Sequence, residues 1–191
     1  MSTDDKRLRP PLVILDRDGV INQDSDAYIK SPEEWIAIPG SLEAIARLNH
    51  AGILVAVASN QSGLGRGMFD LDTLNAIHAK FHQALGRVGG HVDGIFFCPH
   101  IPQDNCDCRK PRPCLLHAIS QRFDLPLDGI PFIGDSPADV AAARAVMAQP
   151  MLVCTGKGEH SLSKNSDLRS LPVFGDLAEA VDDLLRTEVS A

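Results

Sequence analysis

The chain has 191 residues, enough for one medium domain or one domain with a small insertion. Its apolar fraction of 44% and charged fraction of 23% are those of an ordinary globular protein, and only 5% is aromatic. A formal charge of −7 and a pI near 5.4 argue against broad nucleic-acid binding, and the longest apolar runs, such as residues 53–58, fall far short of a membrane span.

Residues 1–11 are polar, carry no apolar signal core and read as a loose tail, which makes a cytoplasmic location the default. Leu12, Val13, Ile14 and Leu15 form an unbroken apolar run, the mark of a short buried parallel strand, and it ends at Asp16-Arg17-Asp18-Gly19. Residues 22–39, with Pro32 and Pro39, read as a loop or small flap. A helix follows from Ser41, with Leu42, Ile45 and Leu48 on one side and Gly52 closing it. Residues 53–58 are a second buried strand ending at Ser59-Asn60-Gln61-Ser62, and residues 63–67 are a glycine-rich loop. Leu74, Ile77, Phe81 and Leu85 recur three and four apart, predicting a helix over residues 70–85.

A third strand is expected at residues 94–98, then a Cys/His/Pro-rich loop over residues 98–113 and a helix over residues 114–123. Residues 131–135 read as a strand ending in Asp135, residues 135–148 as an alanine-rich helix, and residues 151–154 as a strand. Residues 155–170 read as polar loop, residues 172–174 as an edge strand, and residues 177–185 as the last helix. Strands alternating with helices predict an α/β fold with a Rossmann-like, doubly wound parallel sheet. The whole of residues 1–191 is expected to form one domain. No long insertion follows the first strand or interrupts the helix after the second, so a large cap is not expected. The flap and the Cys-rich loop are left to shape the pocket.

Ligands of open α/β sheets bind at the carboxyl ends of the strands. Strand one delivers Asp16 and Asp18 there, strand two Ser59 and Asn60, and strand four Asp135, with Asp139 on the same face of the next helix. Two carboxylates one residue apart cannot both stay buried and unpaired, and a divalent cation resolves that conflict. An oxygen-rich site suits Mg²⁺, which favours phosphate as a partner, and Lys110 in the Cys-rich loop suits a phosphoryl group. Taken singly, a strand-end aspartate pair, a Ser-Asn turn, a lysine or Asp139 is more often a turn, a solvated charge or a helix cap. Their order along the chain is what favours catalysis.

Four motifs in sequence, Asp16-x-Asp18-x-Val20, Ser59, Lys110 and Gly134-Asp135-x-x-x-Asp139, resemble those of the haloacid-dehalogenase-like phosphatases over nearly the whole chain. The resemblance implies Asp16 as nucleophile, forming an aspartyl phosphate, and Asp18 as general acid and base. It implies Ser59 and Lys110 as phosphoryl ligands. It assigns Mg²⁺ to Asp16, the main-chain carbonyl of Asp18, and Asp135, with Asp139 behind them. An acid role for Asp18 calls for a raised pKa.

Cys98-x-His100 and Cys106-x-Cys108 offer three thiols and an imidazole, a closed tetrahedral set for structural Zn²⁺ that would position Arg109 and Lys110. Cys114 and Cys154 receive no role. Asp-Arg-Asp-Gly-Val-Ile-Asn, Ser-Asn-Gln-Ser-Gly, Cys-Pro-His and Cys-Asp-Cys-Arg-Lys-Pro together are similar to the zinc-containing heptose-bisphosphate phosphatases, which act toward nucleotide-activated heptose for lipopolysaccharide or related glycans. Histidinol-phosphate phosphatases share much of the pattern.

This likeness implies a substrate contact from Arg109 and places Asp24, Tyr28 and Arg66 near the substrate, beside Asn60, Gln61 and Ser62. The chain departs from the pattern at Val20 and Ser59, where threonine is common, and its zinc loop and its segment over residues 24–28 differ in length. Arg66, Arg109, Lys110, Arg112 and Lys157 could surround a second phosphate. The expected partner is a small sugar bisphosphate, with no nucleic acid or membrane and the chain acting as a monomer. A non-enzymatic alternative is a zinc-stabilised phosphate-binding module. Asp16 and Asp18 together weigh against it, since a binder needs neither a nucleophile nor an acid.

Overall fold

The computed structural model describes residues 9–186, so residues 1–8 of the expected tail lie outside it. Six parallel strands form one sheet in the order β3-β2-β1-β4-β5-β6. They are β1 (Leu12–Leu15), β2 (Leu54–Asn60), β3 (Gly94–Cys98), β4 (Pro131–Gly134), β5 (Gln149–Val153) and β6 (Val173–Phe174). This order is the doubly wound one, and the winding reverses between β1 and β4, which opens a crevice at their carboxyl ends. The expected α/β class and sheet are thus present.

Period-two alternation splits the apolar side chains between two cores. Val13, Leu15, Val55, Val57, Ile133 and Val153 face α1 (Ser41–His50), α3 (Leu71–Arg87) and α7 (Leu177–Leu185). Leu12, Ile14, Ala56, Ala58 and Phe132 face α4 (Cys114–Phe123) and α5 (Pro137–Ala145). Every residue of β1 is fully buried, so the strand that carries Asp16 is fixed from both sides. Helix starts are set by short polar caps. Asp70 accepts from Thr73 N at 2.8 Å, and Asp176 accepts from Glu179 N at 2.9 Å.

Several boundaries differ from the sequence reading, four of them in ways that matter to the fold. The second strand runs on through Ser59 and Asn60, because both pair with Phe97 and Cys98 of β3. The glycine-rich segment closes as a one-turn helix, α2 (Ser62–Gly65), with Arg66 N bonded to Ser62 O at 3.1 Å. The alanine-rich helix ends at Ala145, and Met147 turns back at φ 59 so that the chain can enter β5. Residues 155–170 are not plain loop. They hold α6 (Gly158–Lys164) and a 3-10 turn (Ser166–Ser170), pinned by Leu162 and Leu168 against Val140 and Leu152. Two such anchors are too few to give a visible period. Between β1 and α1 the flap holds only turns and the isolated bridges Asp18–Asn22 and Asn22–Ala37. No described helix is long and apolar enough to cross a membrane.

Candidate active site

At the switch point lies a cavity of about 410 Å³, walled by Asp16, Asp18, Ser59, Lys110, Asp135 and Asp139. Residues from β1, β2, β4, α5 and the Cys-rich loop therefore meet in one place, as the motif order implied. Asp16 follows the buried β1, and its Oδ1 accepts from Arg17 N at 2.7 Å. Lys110 is 3% exposed; its ammonium donates to Ala58 O at 2.7 Å and pairs with Asp16 Oδ1 at 2.9 Å and Asp139 Oδ1 at 2.6 Å. Burial alone would lower its pKa, but Asp139 and Asp16 reverse that and hold it above the ordinary lysine value. Asn60 clasps the lysine's backbone in both directions, accepting from Lys110 N at 3.0 Å and donating to Lys110 O at 3.1 Å. Asn60 lines the pocket as expected, and it also fixes the loop that carries Lys110.

Asp139 closes the other side. Its Oδ2 accepts from Ser136 N at 3.1 Å and Ser136 Oγ at 2.6 Å, capping α5, while Oδ1 holds Lys110. That double duty fits a place behind the metal ligands. Asp135 Oδ2 accepts from Lys157 N at 2.8 Å, and Ser161 Oγ donates to Asp135 O at 3.0 Å. Gly19 and Gly156 pass so close that a Cβ would stand 2.1 Å and 2.2 Å from Asp135 Oδ2, and both have positive φ, 85° and 58°.

Oxygens of Asp16, Asp135 and Asp139 lie within 4.8 Å of one another. Burial, followed by the charges of its acidic neighbours, pushes Asp135 up to about 7. Asp16 also stands well above the usual carboxylate value, first through burial and then through Asp139 and Asp135, despite Lys110. Three carboxylates against one ammonium leave the site short of positive charge, and the all-oxygen donor set suits a hard divalent cation. The residues present fit Mg²⁺.

Asp18 departs from expectation. Burial would raise its pKa, but the ion pair with Arg17 and donation from Asn22 and Gln61 outweigh it, so the group is held below the ordinary aspartate value. Arg17 Nη2 lies 2.9 Å from both carboxylate oxygens, Asn22 Nδ2 2.9 Å from Oδ1, and Gln61 Nε2 2.8 Å from Oδ2. These surroundings set the opposite direction from the raised pKa that an acid role calls for. Arg17 is 1% exposed, and His78 of α3 near it is pushed down to about 4 by burial and then by the Arg17 charge. A neutral His78 leaves Asp18 as the acid that balances Arg17.

The Cys-rich loop gathers three of the four expected zinc ligands. Cys98 Sγ lies 3.4 Å from Cys106 Sγ and 3.6 Å from His100 Nδ1. Cys108 falls outside that tight group. Its thiol sits beside Cys114, which together with burial pushes it up to about 11. Two thiols and an imidazole this close are a fitting donor set for Zn²⁺.

Of the expected substrate residues, Asp24, Tyr28, Ser62, Arg109 and Gln61 line the cavity. Arg66 does not; its guanidinium stacks 6.0 Å over the Tyr28 ring. Lys157 lines the pocket while paired with Asp24 at 3.0 Å, whereas Arg112 bonds Asn105 and Asp107 beside a separate small pocket. Sequence reasoning missed Arg17, Asn22, Ser136 and Ser161. Arg17 had a usable signal, since it is the one cation inside the Asp-x-Asp motif.

Carboxylates from the first and fourth strands, a buried lysine between them and a hydroxyl on the second strand define a haloacid-dehalogenase-like hydrolase. Residues 107–180 match the HAD-hydrolase-like family model. Over 175 residues the chain is 54% identical to the D-glycero-beta-D-manno-heptose-1,7-bisphosphate 7-phosphatase of Bordetella bronchiseptica, covering 92% of this chain and 98% of that one. It is 53% identical to the enzyme of the same name from Pseudomonas putida, over 91% and 99% of the two chains. The crystal structure of D,D-heptose 1,7-bisphosphate phosphatase from B. bronchiseptica, complexed with magnesium and phosphate, superposes with a TM-score of 0.89 over 91% of this chain and 97% of that one, at 54% identity. The chain belongs to the heptose-1,7-bisphosphate 7-phosphatase family.

Proposed function

We propose that this chain is a Mg²⁺-dependent phosphatase that removes the 7-phosphate of D-glycero-D-manno-heptose 1,7-bisphosphate, a step toward nucleotide-activated heptose and lipopolysaccharide precursors. The observation that carries the chemistry is the buried Asp16–Lys110–Asp139 chain of ion pairs, at 2.9 and 2.6 Å, beside Asp135. The names of the Bordetella and Pseudomonas relatives support the substrate and its β anomer.

Asp16, Asp135 and the Asp18 main chain would hold Mg²⁺, which when bound neutralises phosphoryl charge and aligns the group for in-line attack. An Asp16 carboxylate oxygen forms a bond to phosphorus as the bond to the sugar oxygen breaks, and that oxygen takes the Asp18 proton. Water then gives a proton to Asp18 and attacks phosphorus, releasing inorganic phosphate and restoring Asp16. Lys110 and Ser59 hold the phosphoryl oxygens. A bound phosphate adds like charge next to Asp18 and favours the protonated form that the first step needs. Arg109 and Lys157, which line the same cavity, would meet the second phosphate. The protein works as a cytoplasmic monomer in this reading.

Side-by-side assay of heptose 1,7-bisphosphate and histidinol phosphate with Mg²⁺ tests the substrate. We expect kcat/KM at least ~100-fold higher for the heptose. Phosphate release from histidinol phosphate alone would overturn the assignment.

Zn²⁺ held by Cys98, His100 and Cys106, with Cys108 as fourth ligand, would staple the loop that carries Arg109 and Lys110. Protein purified without chelator should contain about one zinc per chain, and Cys98→Ala should lose it along with several degrees of Tm. Well under one zinc in the parent protein contradicts this reading.

A further inference from the structure

Gln61 was expected to touch substrate, but its carboxamide is already spent. Nε2 gives one hydrogen to Asp18 Oδ2 at 2.8 Å and the other to Ser59 Oγ at 2.7 Å, and Oε1 accepts from Arg17 Nη2 at 3.1 Å. Its backbone is fixed too, with Gln61 N bonded to Cys98 O at 2.7 Å where β3 ends, and the residue is 5% exposed. No free amide hydrogen remains for a ligand. One planar group therefore ties the Asp18 carboxylate and the buried Arg17 guanidinium, which already pair with each other, to the Ser59 hydroxyl on strand two.

We infer that Gln61 is a positioning residue that, with Arg17, sets the orientation of the Asp18 carboxylate relative to the phosphoryl group held at Ser59. Arg17 Nε and Nη2 grip Asp18 from one side at 3.1 and 2.9 Å, and Asn22 holds Oδ1 from the flap at 2.9 Å. Gln61 alone reaches it from the strand-two side. Without Gln61, Oδ2 keeps only Arg17, and the carboxyl plane loses the contact that ties it to strand two and to Ser59. Proton transfer tolerates little misalignment, so the cost falls on the step in which the sugar oxygen leaves.

The inference rests on Asp18 as general acid, and leaving-group dependence separates the two claims. A sugar alkoxide must be protonated as it leaves, whereas p-nitrophenolate leaves unaided. Gln61→Leu and Gln61→Met keep bulk and remove all three polar contacts. Both should lower kcat/KM for heptose 1,7-bisphosphate by ~30-fold or more and for p-nitrophenyl phosphate by less than ~3-fold. KM should barely change, and neither variant should add to the loss in Asp18→Asn. Gln61→Asn, which keeps the amide on a shorter arm, should show the same selective loss and serves if the apolar variants do not fold. Equal losses on the two esters, a rise in KM alone, or additivity with Asp18→Asn would overturn the inference while leaving the acid role of Asp18 intact. If Asp18→Asn itself treats both esters alike, the acid role fails and the inference falls with it.

Discussion

Asp16→Asn abolishes phosphate release, by roughly four orders of magnitude or more, while the protein stays folded. The substitution is nearly isosteric at the end of a fully buried strand, and an amide can still accept from Arg17 N and Lys110. What it cannot do is form the bond to phosphorus. Burial and two neighbouring carboxylates already disfavour the Asp16 charge, so removing that charge relieves repulsion even as it weakens the Lys110 pair. Phosphate release and a thermal melt on the same preparation check both halves. Unchanged activity would exclude Asp16 as nucleophile, and a collapsed melt would show that the residue is mainly structural.

Lys110→Met has the second large effect, and it strikes stability as well as rate. The lysine is 3% exposed and neutralises two acids at once, so its loss leaves Asp16 and Asp139 facing each other without a cation. Breaking a buried pair from one side costs about 3–5 kcal/mol. Bound Mg²⁺ would recover part of this, which makes the variant's melting temperature more Mg²⁺-dependent than the parent's. Activity should fall by about 10³-fold, since the charge beside the transferring phosphoryl group is gone. A melt within a degree or two of the parent's in the absence of Mg²⁺ would contradict the role assigned to the ion-pair chain.

Much of this was legible in the sequence because the signals were strong where the structure is most constrained. An all-apolar β1 ending in Asp16, and a short apolar β4 ending in Asp135, fix the sheet, the switch point and the site together. The polar segment over residues 155–170 was not legible. α6 is held by Leu162 and the turn after it by Leu168, and the other buried positions, Gly158 and Ser161, are not apolar side chains, so no hydrophobic period emerges. The ionisation of Asp18 was hidden for another reason. Burial favours the proton and Arg17 removes it, and only the hydrogen bonds from Asn22 and Gln61 show which prevails.

The account turns on covalent capture of phosphorus by Asp16, and its most direct test is to trap that state. Asp18→Asn given p-nitrophenyl phosphate and Mg²⁺ needs no acid for the first step and lacks the base for the second, so the phosphoenzyme should accumulate. Peptide mapping after rapid quench should place one phosphoryl group on the peptide carrying Asp16, labile to hydroxylamine and absent from the Asp16→Asn, Asp18→Asn double variant. A phosphoryl group on Ser59, or a release of p-nitrophenolate with no phosphorylated peptide at all, would contradict it.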